Sequence, residues 1–440
     1  MSGYFLNGIY ILLLIALSPF LLLAAIRKGK YREGWAAKFL GHVTVRQGNQ
    51  TCIWFHAVSV GEVQLLGSLI QRLHRDQPDW QCVISTTTKT GFALAHEKFP
   101  QHLVFYCPLD FTWSTTEAMK RVRPDLLVLS ELELWPNLIR AASRHGAKVA
   151  VINGRISDKS FRGYRWIRPL VGRMLRRIDT IAVQNEQYAD RFLKLGASSQ
   201  TVNITGSIKF DGANTDRRNP KTESLRALAG LSDGDVVFLA GSTQRGEEAA
   251  AVEVFSQLAD QFPQLHLVLV PRHPERFEEV ARLLDASRQP WQRRTQLADR
   301  PLDPPNARIL LVDTVGELGA WWGTANIGFV GGSLGSRGGQ NMIEPAAYGV
   351  AVCFGPNTQN FRDVVQALLA HQAAMVVQDQ QMLQKFVRDC LQDPQAATRQ
   401  GQRAAELVAS SRGATSKTTE LLRMLIENES VTGETFRPAA

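Results

Sequence analysis

The chain has 440 residues, of which 44% are hydrophobic and 21% charged. That balance excludes a disordered protein and leaves room for two ordinary domains with full cores. A net charge of +9 favours an anionic partner (a membrane surface, a nucleic acid or a phosphorylated substrate) without choosing among them. The five cysteines (Cys52, Cys82, Cys107, Cys353, Cys390) form no CxxC or Cys/His cluster. They argue against a zinc site or a disulfide framework and for reduced thiols in a cytoplasmic domain.

Residues 3–26 are almost wholly apolar and carry no charge. Roughly twenty such residues suffice to cross the hydrocarbon core of a bilayer, and Pro19 offers a kink. Arg27, Lys28, Lys30 and Arg32 follow directly, and no Lys or Arg precedes the run. The positive-inside rule therefore places residue 27 onward in the cytoplasm. A cleaved signal peptide needs positive charge before its apolar run and small residues after it. Neither is present in good form, so the segment reads as a retained single-pass signal anchor. A helix lying in the interface is the weaker alternative, because both faces are apolar.

From residue 30 onward, short β-branched runs alternate with helical stretches. The runs 52–56, 82–85, 126–129, 149–152 and 180–183 form one series of candidate strands. The runs 236–240, 266–270, 309–312, 327–330 and 351–354 form a second. Strand, helix, strand at this spacing predicts parallel sheets with helices on both faces. Two series predict two Rossmann-like α/β domains. The expected organisation is an anchor at 3–26, a first α/β domain at 30–206, a polar linker at 207–220, a second α/β domain at 221–426 and a frayed tail at 427–440.

Ligands of open parallel sheets bind beyond the carboxyl ends of the strands. After the first run comes His56-Ala-Val-Ser-Val-Gly-Glu62. Val63, Leu65, Leu66, Leu69, Ile70 and Leu73 then recur at helical spacing. Glu62 thus falls in the first turn of a helix, where the macrodipole favours an ionised carboxylate, as a base or as a cap. The motif Ser130-Glu131-Leu-Glu133-Leu-Trp135-Pro-Asn137 sets two carboxylates at a strand end, one of which can instead cap a helix. Lys209, in Gly206-Ser-Ile-Lys209-Phe-Asp211, is a cation for a ligand or simply a surface lysine.

The second series carries different chemistry. Gly241-Ser242-Thr243-Gln244-Arg-Gly-Glu247-Glu248 is a loop with hydroxyls and a helix start. Arg272 and His273, in Pro271-Arg-His-Pro-Glu-Arg276, are donors for a phosphate or partners in surface ion pairs. Asp313-Thr-Val-Gly316-Glu317-Leu318 opens a helix whose amides can meet the same phosphate. The stretch 330–345 is rich in glycine and closes on Gln340-Asn341-Met342-Ile343-Glu344-Pro345. Glycines admit a ligand close to the backbone, and helix-start amides attract anions. Glu344 can accept bonds from two ribose hydroxyls. A tight strand-to-helix turn is the plainer alternative for the glycines. Four such loops together predict a nucleotide mono- or diphosphate site. Asp233-Gly-Asp235, the only Asp-x-Asp, reads as a turn. Ser336-Arg-Gly-Gly lacks the Lys-Ser/Thr of a P-loop and no GxGxxG occurs, so neither a metal site nor ATP hydrolysis is expected.

Taken together, these loops resemble the 3-deoxy-D-manno-octulosonic acid (Kdo) transferases of lipid A biosynthesis. The resemblance runs from the apolar segment and Lys30-Tyr31-Arg32 to about residue 365. It rests on the motifs quoted above, on Asn153-Gly-Arg-Ile-Ser157 and Gln184-Asn185-Glu186, on Phe329-Val-Gly-Gly-Ser333, and on Phe354-Gly-Pro with Asn360-Phe361. It implies a membrane-anchored enzyme of the glycosyltransferase-B fold, which moves Kdo from CMP-Kdo to a phosphorylated lipid A precursor of the lipid IVA type, with inversion and without a further cofactor. Glu62 would be the proton acceptor, and Glu131 and Lys209 would stabilise the transition state. Arg272, His273, Gly316, Glu317, Leu318, Asn341, Met342, Ile343 and Glu344 would hold CMP, with Ser242, Thr243 and Gln340 as further candidates. The implied partners are CMP-Kdo, the lipid precursor and the inner-membrane surface on its cytoplasmic side, not nucleic acid. No oligomeric state follows. Gln340 and Gln244 stand where the family usually has His, and Gln carries no proton near neutral pH. Gly154 replaces the common Ala. A related enzyme using another nucleotide sugar, or a non-catalytic binder of anionic glycolipid, are the competing expectations.

Overall fold

The computed structural model describes residues 3–28, 33–297 and 307–427. Lys30, Tyr31 and Arg32 lie outside them, as does the expected frayed tail apart from Glu427. The chain forms two compact units, one of residues 1–212 with 412–440, the other of 213–411.

In the first unit the strands are β1 (Cys52–His56), β2 (Gln81–Thr86), β3 (Leu103–Tyr106), β4 (Leu126–Ser130), β5 (Lys148–Gly154), β6 (Thr180–Val183) and β7 (Val202–Ile204). They pair in the order β3-β2-β1-β4-β5-β6-β7, all parallel. Successive side chains of a strand point to opposite faces. Cys52 and Trp54 of β1 accordingly join one core with Leu127, Leu129, Val149 and Val151. Ile53 and Phe55 join another with Leu126, Val128, Ala150 and Ile152. Both faces are buried, which is why these strands read as continuous apolar runs.

The second unit has β8 (Val236–Thr243), β9 (Leu265–Pro271), β10 (Trp291–Arg293), β11 (Ile309–Leu311), β12 (Ile327–Val330), β13 (Ala351–Phe354) and β14 (Ala374–Val376). Their order is β10-β11-β9-β8-β12-β13-β14, again parallel. Without the outermost strand of each sheet, β7 and β10, both follow the doubly wound order 3-2-1-4-5-6. The strand order reverses between β1 and β4 in one unit and between β8 and β12 in the other. The loops after those four strands therefore start at the two switch points.

The second domain expected at 221–426 needs correction at its end. The helix Ala414–Ile426 belongs to the first unit. Ala414 and Leu422 are buried in the core of Ile53, Phe55, Val128 and Ile152, with Leu425 and Ile426 packed against it. Asp211 fixes its start by accepting from the amides of Gly413, at 2.6 Å, and Thr415. The division near Gly212 falls inside the polar stretch expected as a linker, but that stretch opens with an ordered turn, the 3-10 segment Ile208–Phe210.

The apolar amino-terminal segment is one helix, Gly3–Lys28, with Pro19 inside it. Its first turns carry contacts to the first unit. Asn7 donates to the Thr112 hydroxyl at 2.7 Å and accepts from the Thr112 amide at 3.1 Å. The Tyr10 hydroxyl donates to Asp110 at 3.1 Å. Asp110 also accepts from the amides of Asn137 and Leu138, at the start of the helix Pro136–Arg144.

Candidate functional site

At the first switch point, β1 ends in His56 and the helix Val60–Asp76 begins after Ser59. Ser59 and Glu62 form a capping box. The Glu62 amide approaches the Ser59 oxygen at 3.5 Å, and the Ser59 hydroxyl donates to Glu62 Oε1 at 2.8 Å. Glu62 Oε2 accepts from the Val58 amide at 2.9 Å. The cap foreseen as one of two readings is thus formed. Burial raises the Glu62 carboxyl above its ordinary range, against the pull of the Val58 and Ser59 bonds, and the Glu131 charge adds to the rise. A carboxylate held in place and raised above its ordinary range suits proton transfer.

Glu131 follows β4 directly, with φ of 54°, in the left-handed region that non-glycine residues rarely occupy. Arg155 Nε donates to its Oε2 at 2.8 Å, and Lys209 Nζ stands 3.6 Å from its Oε1. Lys209 is therefore an ion-pair partner and not a loose surface lysine. It sits in the turn Ile208–Phe210, tied to β5 by the Ile208 amide donating to Asn153 Oδ1 at 3.2 Å. Asn153 is itself left-handed, with φ of 52°.

Two residues outside the expected set join this group. Arg155 clamps Glu131. Glu133 receives a bond from Trp135 Nε1 at 3.1 Å. Burial first, then the Glu62 charge, push the Glu133 carboxyl up to about 7. Glu133 stood out in the sequence as half of a carboxylate pair, but nothing local marks Arg155, which meets Glu131 across a separation of 24 residues. His56 is different. Burial pushes its imidazole down to about 4, and Nδ1 lies 2.9 Å from Ser85 Oγ, so it is neutral.

In the second unit, the glycine loop after β12 overturns one expectation. The amides of Gly332, Ser333 and Leu334 do not wait for a phosphate. They donate to the Glu247 carboxylate at 2.7, 3.0 and 3.0 Å, and the Gln244 amide joins them at 2.8 Å. Glu247 is 3% exposed, and a carboxylate satisfies anion-seeking amides as a phosphate would. This buried acid welds the loop after β8 to the loop after β12.

The remaining candidates divide by exposure. Arg272 is exposed. His273 lies 3.8 Å from Glu275. Asn341 Oδ1 accepts from the Ile343 amide and its Nδ2 donates to Glu344 Oε1, each at 3.0 Å. Burial raises the Glu344 carboxyl, opposed by Asn341 and by the Arg272 charge. Met342 and Ile343 are buried, at 0% and 1% exposure; only their main chain can meet a ligand. Glu317 is committed to structure. Burial alone would raise its carboxyl, but bonds from Thr314, Arg294 and Trp321 hold it below the ordinary range. Gly316 before it has φ of 84° and Leu318 after it is half-buried. Ser242 and Thr243 are buried at the end of β8, where Ser242 has φ of 53° and Thr243 Oγ1 has no bonding partner among the described residues. Gln244 and Gln340 are half-buried. Arg276 is bound bidentately to buried Glu248, and Asp235 of the Asp-x-Asp turn pairs with His266 at 3.4 Å.

Residues 33–212 match the family model described as 3-deoxy-D-manno-octulosonic-acid transferase (kdotransferase). A 3-deoxy-D-manno-octulosonic acid transferase of Haemophilus influenzae is 32% identical over 429 residues, covering 95% of this chain and 98% of that one. One from Bordetella pertussis is 32% identical, covering 94% and 98%. Among solved structures, a glycosyltransferase of Rickettsia africae superposes with a TM-score of 0.56 over 87% of this chain and 100% of its own, at 13% identity. That likeness shows the fold, the paired Rossmann-like units of the glycosyltransferase-B type.

Proposed function

The chain belongs to the 3-deoxy-D-manno-octulosonic acid transferase family, and from that premise we propose that it moves Kdo from CMP-Kdo to a phosphorylated lipid A precursor of the lipid IVA type, with inversion at the anomeric carbon. The observation that carries this reading is the group at the first switch point: Glu62 held by Val58 and Ser59, beside Glu131 clamped by Arg155 and Lys209.

In this mechanism an acceptor hydroxyl attacks the anomeric carbon and gives its proton to Glu62. The bond from that carbon to the CMP phosphate breaks, and CMP keeps the electron pair. The raised Glu62 carboxyl is matched to that proton, and its two fixed bonds remove the cost of orienting it during the reaction. Glu131 and Lys209 stabilise the developing charge. CMP gains negative charge as it leaves, so Arg272, His273 and the amides around Gly316, Glu317, Leu318 and Asn341 assist departure. The buried Met342 and Ile343 act through their main chain, and Glu344 takes the ribose. The Ser242 and Thr243 hydroxyls and Gln340 complete the donor pocket. No cofactor beyond the donor is required. The apolar helix keeps the enzyme at the cytoplasmic face of the inner membrane, where the lipid acceptor resides.

The test is Glu62→Gln, which keeps the capping geometry but cannot take a proton. With CMP-Kdo and a tetraacyl lipid A precursor, read by lipid mass, turnover should fall by ~10²–10⁴ while CMP affinity holds. Undiminished transfer would reduce Glu62 to a helix cap.

A further inference from the structure

The helix Gly3–Lys28 presents the wrong faces for an ordinary packed helix. Its less exposed positions (Gly3, Leu6, Asn7, Tyr10, Leu14, Ser18) recur at helical spacing and include Asn7, Tyr10 and Ser18. Asn7 and Tyr10 are spent on Thr112 and Asp110. Gly3 comes so close that a Cβ there would stand 2.5 Å from Thr112 and 2.6 Å from Arg140. The apolar residues point away instead. Phe5, Leu12, Leu13, Ile15, Leu17 and Phe20 are each between 52% and 68% exposed. So much outward apolar surface needs a covering partner.

The helix is bonded to the first unit near its amino end, and the chain is bonded to that unit again at Glu33, shortly after the helix. Five residues on from Lys28, Glu33 pairs with Lys89 at 2.5 Å and accepts from Tyr106 at 2.9 Å. Five residues reach at most about 18 Å, whereas Asn7 and Lys28 are separated by about 30 Å of helix. A helix crossing the bilayer would carry Asn7 about 30 Å from any cytoplasmic residue. Asn7 could not then bond Thr112.

The surroundings match a lipid interface. Tyr10 packs edge-on against Phe111 at 6.0 Å, and Phe111 stacks on Trp113 at 4.4 Å. Trp113 is 45% exposed and donates to the Phe39 carbonyl, and Phe39 stacks on Trp35, which is 57% exposed. Such half-wet indoles favour the headgroup level. Beside the start of the helix stands Arg140, whose guanidinium is pushed below its ordinary value by burial and by the Arg177 and Arg144 charges. A cationic group of this kind is complementary to anionic headgroups.

We propose that the helix lies in the plane of an anionic bilayer surface, docked by its polar face on the first unit, with its amino terminus on the same side of the membrane as that unit. This seating is independent of the identity of donor and acceptor. It replaces the spanning anchor by the interfacial helix.

The test uses the full chain in native membranes. All five native cysteines are buried, so Ser2→Cys gives a single site for a membrane-impermeant maleimide. Labelling is expected in inverted vesicles and not in intact spheroplasts. Labelling from outside intact spheroplasts overturns the proposal. A second variant pairs Asn7→Cys with Thr112→Cys. Oxidation should cross-link them in native membranes, and failure to do so in protein that retains transferase activity is equally fatal. The occupant is tested with purified protein and vesicles of phosphatidylethanolamine with or without phosphatidylglycerol. Leu13→Glu with Leu17→Glu should weaken partition at least tenfold, and omission of phosphatidylglycerol several-fold. Unchanged partition, with a lowered oligomeric state in the Glu variant, would assign the apolar face to a second copy instead and overturn the lipid assignment.

Discussion

Burial makes the contribution of Glu133 to stability depend on pH. Its carboxyl is raised from 4.5 to about 7, so the folded protein holds a proton that the unfolded chain releases between those values. The stabilising contribution of that bound proton is full below pH 4.5 and is lost as pH rises through 7. At pH 8 the ionised group opposes folding. Glu133→Gln should therefore raise stability at pH 8 by ~1–3 kcal/mol, with the gain vanishing at pH 4.5. Thermal unfolding of both proteins across pH 4–9 measures it. A constant difference at every pH would mean that Glu133 is not the group that titrates. The sequence displayed Glu133 as half of a carboxylate pair but not its surroundings. Glu62 was legible because its helix and cap are local. Glu247 was legible only as a first-turn acid, since the amides it serves lie 85 to 87 residues further on. Lys209 left two readings open for the same reason: its partner Glu131 comes from another strand.

At the scale of elements, the strands that the sequence marked are the inner strands of the two sheets, where most positions are apolar. Those it did not mark, β3, β7, β10 and β14, are the edge strands of the two sheets, and β10 and β14 have no buried position. Met375 of β14 is even 38% exposed. The helix Ala414–Ile426 was legible as a helix but not as to where it packs. Amphipathic spacing says that a face is buried and nothing of what buries it. Its docking hinges on Asp211, which caps it from 202 residues upstream. Asp211→Ala should cost about 1–2 kcal/mol. Hydrogen exchange should accelerate in 414–426 and leave β8 to β14 unchanged. Acceleration spread evenly over the chain would show that the cap is not local to that helix.

At the scale of the whole molecule, the two units are not equivalent pieces of chain. Residues 213–411 are continuous and carry their own core. The first unit closes only when the chain returns at 412 to cover Ile53, Phe55, Val128 and Ile152. Leu421 and Leu422 are 9% and 0% exposed, and burying two leucines is worth ~3–6 kcal/mol. A domain has only about 5–15 kcal/mol in all. A fragment of residues 33–212 should therefore aggregate or unfold without cooperativity. The same fragment joined by a flexible linker to 412–427 should give one cooperative transition, and 213–411 alone should do so without help. Differential scanning calorimetry on the three fragments decides it. If 33–212 unfolds cooperatively by itself, the returning helix is an accessory. If it does not, a truncation that removes the helix Ala414–Ile426 disables the unit that holds Glu62, although no residue of that helix stands near it in sequence.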